Sequence, residues 1–92
     1  MLLTLRLPDN GSLKNKRSII RRITSRTRDT FDVSIAEIGM MDNQKAAEIG
    51  IACVSNDARH SHAVLMKIRD FVEKLHIDAE IINIETENIH AL

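Results

Sequence analysis

The residues best equipped to do chemistry in this sequence are cations, and they are crowded into one stretch. Between Ser12 and Arg28, SLKNKRSIIRRITSRTR, there are seven Lys or Arg and no Asp or Glu. At 3.6 residues per turn, Lys14, Arg17, Arg21 and Arg28 fall together in an arc of about 60°, and Arg22 and Arg26 continue the basic surface on the far side of the isoleucines. The stretch carries no acid to neutralise them, so the charges repel one another unless an anion offsets them. Phosphate groups are the chemistry such a ridge fits, and they would give it salt-sensitive, largely sequence-independent affinity. The plainer reading is a solvated helix face.

Other groups offer less. Glu37, Asp42 and Glu48 flank a turn, and pairing across an antiparallel hairpin sets Glu37 opposite Glu48, an arrangement that invites a divalent cation. A solvated hairpin end, or ion pairs to Lys45 and Arg6, explains the same acids more simply, so no metal is expected. His60 and His62 stand two apart at a helix start and point about 200° away from each other, so they cannot chelate one ion together. The single cysteine, Cys53, lies in an apolar run and reads as a small hydrophobe. It excludes an intrachain disulfide and a multi-cysteine metal site. There is no Gly-rich phosphate loop, no Gly-x-Ser-x-Gly elbow and no Cys–His pair in one motif. No catalytic residue and no cofactor is assigned, and the expectation is a protein that is not an enzyme.

The basic stretch must sit on a helix. Pro8-Asp9-Asn10-Gly11 is turn chemistry, and the Ser12 hydroxyl can cap a free N–H of the first turn. From Leu13 onward, Ile19, Ile20, Ile23 and Thr27 fall within an arc of about 100°, the width of a core-facing stripe. Lys16 falls in the middle of that arc. It must snorkel or meet a carboxylate; Asn56 and Asp57 read first as caps of the second helix, and a contact from Asp57 to Lys16 is the alternative. Around this helix, Met1 to Leu7 reads as a strand and Asp29-Thr30 as its break. Phe31 to Ile38 alternates as a second strand, with a turn at Gly39 to Lys45 and a third strand from Ala46 to Ser55. Ser55-Asn56-Asp57 caps a helix over Ala58 to Leu75, whose Val64, Leu65, Ile68, Phe71, Val72 and Leu75 keep helical spacing. Asp78 to Glu87 is a last strand, with Ile82 and Ile84 placed on one side, and Asn88 to Leu92 is expected to fray.

The order βαββαβ predicts an α+β, ferredoxin-like fold: a four-stranded antiparallel sheet with two helices on one face, formed by residues 1–92 as a single domain. The other sheet face is then uncovered. Its expected residues, Ala36, Ile38, Gly50, Ala52 and Val54, are small or apolar, and they predict self-association, a homodimer.

These pieces resemble the YlxP-like family of small bacterial proteins. The carriers are Pro8, Ser12-Leu13-Lys14-Asn15-Lys16-Arg17, Phe31-Asp32-Val33-Ser34-Ile35-Ala36-Glu37, Asp42, Ala47-Glu48-Ile49-Gly50 and Val54-Ser55-Asn56-Asp57. The resemblance implies a ferredoxin-like fold, a bacterial cytoplasmic setting and, since members are often encoded beside translation and ribosome-maturation factors, a ribosomal RNA or ribosome-associated protein partner. It implies no catalytic residues. One departure stands out: the tryptophan usual two residues after the hairpin Asp is Gln44 here.

Charge and composition bound these readings. The 92 residues carry 13 Lys and Arg against 13 Asp and Glu, so the chain is not a bulk polycation. Residues 1–46 nevertheless hold nine basic and five acidic side chains, and residues 47–92 four and eight, so the halves stand at +4 and −4. The Met1 to Leu5 run is too short for a signal-peptide core, and no stretch approaches the roughly 20 apolar residues of a membrane span, so a cytoplasmic protein is expected. There is no Trp or Tyr, and only Phe31 and Phe71 offer aromatic faces. Any RNA contact is therefore expected through the helix, by charge and shape, rather than by base stacking on the sheet.

Overall fold

Alternating leucines and isoleucines build the sheet, and two amphipathic helices cover it. The computed structural model describes residues 1–75 and 78–89, which places the expectation for residues 90–92 outside the described residues. The order is β1 (Leu2–Arg6), α1 (Leu13–Thr30), β2 (Ser34–Gly39), β3 (Ala46–Ala52), α2 (Ala58–Glu73) and β4 (Glu80–Glu85). The strands lie in the order β2-β3-β1-β4, and every neighbouring pair is antiparallel. This is the ferredoxin-like arrangement.

Period two along the strands puts Leu3, Leu5, Ile35, Ala47, Ile49 and Ile51 on one face, with Leu7 continuing the row past β1. Ile20 and Ile23 of α1, and Leu65, Ile68 and Val72 of α2, close over them. The register aligns these residues: Leu3 faces Ile49 on one side and Ile84 on the other, and Ile35 faces Ile51. Phe31 and Phe71 meet edge to face with ring centroids 5.4 Å apart, joining the end of α1 to α2.

The caps are where the sequence places them. Ser12 Oγ accepts from Asn15 N–H at 3.0 Å, and Asp57 Oδ1 accepts from Arg59 N–H at 2.9 Å. The first helix runs through Asp29 and Thr30, because the Thr30 hydroxyl bonds back to Arg26 O and the Phe31 N–H to Thr27 O. The second strand accordingly starts later, at Ser34.

Two register shifts were invisible to alternation. Pairing of β1 with β4 skips Ile82, and pairing of β2 with β3 skips Ile38, so each is the extra residue of a bulge. Both isoleucines are consequently more than half exposed, Ile38 at 58% and Ile82 at 54%. On β4 it is Ile81 and Ile84 that pack on the core, correcting the expected pairing of Ile82 with Ile84. The third strand ends at Ala52 rather than Ser55, so Val54 stands off the sheet, 98% exposed.

Candidate nucleic-acid interface

The buried stripe of α1 decides which side chains face outward. With Ile20, Ile23, Thr24 and Thr27 buried beneath it, the helix leaves Lys14, Arg17, Arg21, Arg22, Arg26 and Arg28 exposed. The ion pairs among the described residues are Arg6–Glu80, Lys16–Glu37 and Arg69–Asp70, so none of these six cations is neutralised there. Arg28 Nη2 donates to Ile35 O of the edge strand β2 at 2.8 Å. That bond puts the row of Lys14, Arg17, Arg21 and Arg28 on the β2 side of the helix and leaves Arg22 and Arg26 on the side of α2. It also commits part of the Arg28 guanidinium to holding the fold.

The seventh cation faces inward. Lys16 is 1% exposed, and its ammonium donates to Met40 O at 2.6 Å and Asn43 O at 2.7 Å while standing 3.0 Å from Glu37 Oε2. This corrects the alternative pairing with Asp57, whose carboxylate caps α2, its first reading. The hairpin between β2 and β3 curls under the first turns of α1, and its carbonyls and Glu37 reach Lys16 first. Met40 adopts φ 58°, an unusual conformation for a residue with a side chain, and Lys16 holds its carbonyl. Asn10 and Asn15 complete the network, a role the sequence did not reveal. Buried Asn10 donates through Nδ2 to Ser12 O at 2.9 Å and Gln44 O at 2.5 Å, and accepts from Asn15 Nδ2 at 2.8 Å. The pre-helix turn, the start of α1 and the hairpin are thereby one unit.

The acids do not assemble into a cation site. Glu37 lies on the helix-covered side against Lys16 and pairs across the strands with Ile49, whereas Glu48 faces Gly39, because the Ile38 bulge breaks the assumed symmetry. Asp42 is exposed in the hairpin. Among the described residues, no group of three or more His, Cys, Asp or Glu is close enough to hold a metal ion. His60 and His62 are both exposed, and Cys53 is half-buried against the core. On the uncovered sheet face, Ala36, Ile38, Gly50 and Ala52 form a shallow apolar patch with Met1. The Ile38 side chain lies over Gly50, where an added Cβ would meet Ile38 Cδ1 at 3.0 Å.

Residues 1–86 match the family described as "Protein of unknown function (DUF503)". The chain belongs to the DUF503 family. It is 38% identical over 65 residues, 71% of each chain, to the "Uncharacterized protein YlxP" of Bacillus subtilis (strain 168). In this DUF503 chain the segment Ser12 to Arg17 divides by direction. Ser12 caps the first turn, Asn15 bonds Asn10 and Lys16 turns inward, while Lys14 and Arg17 face out. In the second motif, Ser55 and Asp57 fold the cap, and Val54 and Asn56 are exposed. Among the described residues, no helix is long and apolar enough to cross a membrane.

Proposed function

We propose that this DUF503 protein is a non-enzymatic, cytoplasmic binding domain whose first helix engages RNA through its phosphates, with ribosomal RNA or a ribosome-associated protein complex as its setting. The observation that supports this is the exposed row on α1, whose cations find no counter-charge among the described residues. The non-enzymatic part is supported by how the partly buried acid beneath the ridge is used: Glu37 balances Lys16.

The test is co-sedimentation of the purified protein with ribosomal subunits at low and high salt. Arg17→Gln/Arg21→Gln/Arg22→Gln is the informative variant, since Arg28 also bonds β2. Association at low salt that fades as salt rises and is absent in the triple variant supports the reading. No association at low salt, or association indifferent to the three arginines, overturns it.

A second reading is favoured by the exposed Ile38 beside Gly50: a homodimer formed through Ala36, Ile38, Gly50 and Ala52. Sedimentation velocity across a dilution series decides it. A dimer dissociating on dilution and abolished by Ala52→Glu supports it, and a monomer at all concentrations excludes it.

A further inference from the structure

We infer that the cationic helix is shaped for the groove of double-stranded RNA rather than for a single strand, an inference that rests on the phosphate-binding reading above. The observation is the cross-section of α1. At about 100° per residue, Ser18 and Ser25 lie within about 20° of each other, between the Lys14, Arg17, Arg21, Arg28 row and Arg22 and Arg26. Both serines are exposed. The helix therefore has a low, hydroxylated crest flanked on one side by the Lys14, Arg17, Arg21, Arg28 row, about 21 Å long, and on the other by Arg22 and Arg26, about 6 Å apart along the axis. Asp29, beyond Arg26, bounds it with a negative charge. One line of cations suffices for one phosphate strand. Two lines straddling a crest of small side chains match two strands with a groove between them.

Stacking points the same way. Proteins that track single strands gain affinity from each base they stack on an aromatic face. Here Phe31 and Phe71 are the only Phe, Trp or Tyr in the chain, and they are half-buried against each other. A single strand would have to be ordered along the ridge without that gain, whereas a duplex presents its phosphates already in a fixed array.

The depth of the groove selects RNA. The helix is embedded along its length, with Lys16, Ile20, Ile23, Thr24 and Thr27 buried, so only its upper half projects. The major groove of B-form DNA is about 8.5 Å deep and calls for a protruding helix. The minor groove of an A-form duplex is wide and shallow and is lined with 2′-hydroxyls, to which serine hydroxyls can donate and accept.

Fluorescence anisotropy at low salt tests this with three probes: an RNA duplex of about 16 base pairs, a DNA duplex of the same sequence and an oligouridine of the same length. The RNA duplex is expected to bind about tenfold tighter than either competitor, the scale of one or two hydrogen bonds. Ser18→Gln/Ser25→Gln fills the crest without changing charge and improves helix propensity. It should reduce RNA-duplex binding to the oligouridine level and leave oligouridine binding unchanged. Oligouridine bound as tightly as the duplex, or a crest variant without effect, overturns the duplex inference while leaving the phosphate-binding reading intact. Equal binding of both duplexes overturns the choice of the A-form groove. Binding to none of the three overturns the phosphate-binding reading itself.

Discussion

Lys16 ties α1 to the β2–β3 hairpin, two parts of the chain that no regular hydrogen-bond ladder connects. Its ammonium, on a side chain only 2% exposed, gives two bonds to hairpin carbonyls and faces Glu37. Truncating one member of a buried charged cluster strands the rest, so Lys16→Met is expected to destabilise by about 3 kcal/mol or more, measured by urea unfolding. A double-mutant cycle with Glu37→Gln should give a clear coupling energy, and one with Asp57→Asn should be additive. Coupling to Asp57 instead would contradict the geometry. The need for a partner was legible in the sequence, because a lysine in an apolar arc cannot stay unpaired. The partner's identity was not, since it depends on which loop passes beneath the helix. Asn10 and Asn15 were legible only as turn and helix residues, because their shared bond closes across the cap and leaves no periodic trace.

Among the elements, the helices, the strands and their order βαββαβ along the chain followed from spacing, because 3.6-residue and two-residue periods tell one from the other. What failed was strict alternation at the bulges. A strand with an extra residue keeps its composition while losing its phase, so Ile82 was placed with Ile84 and ends on the other side of the core boundary. This difference has a mutational signature. Ile82→Lys should change stability by no more than about 0.5 kcal/mol, as for other surface sites. Ile84→Lys, which pushes a charge against the core, should cost several times that and lower the thermal midpoint accordingly. The α1 cap behaves conventionally, with Ser12→Ala expected to cost about 1 kcal/mol as the Asn15 N–H loses its acceptor. The arginine row is different in kind. Arg17→Gln/Arg21→Gln/Arg22→Gln removes mutual repulsion and breaks no ion pair or hydrogen bond among the described residues, so its unfolding midpoint should hold or rise while binding falls. A large loss of stability would assign these arginines to the fold rather than to a partner.

At the scale of the molecule, zero net charge conceals an oriented one. Strand order puts β2, with the arginine row above it, at one sheet edge and β4 at the other, where Glu85 is exposed and Glu87 follows the strand. Three strand spacings separate the two edges, about 14 Å. At 0.15 M ionic strength the screening length is about 8 Å, and at 0.01 M it is about 30 Å. The acids of β4 therefore oppose an approaching polyanion only in dilute salt, whereas arginines in contact with phosphates act at both concentrations. Glu85→Gln/Glu87→Gln should accordingly tighten RNA binding at 0.01 M salt and leave it nearly unchanged at 0.15 M. The triple arginine variant should weaken binding at both and flatten the salt dependence by about 0.7–0.9 for each phosphate it no longer neutralises. Anisotropy titrations at the two salt concentrations measure both effects. If the β4 variant tightens binding equally at each, those glutamates lie against the RNA, and α1 does not form the contact alone. If it acts only in dilute salt, the charge separation serves to orient the molecule, turning its basic helix toward the polyanion before contact is made.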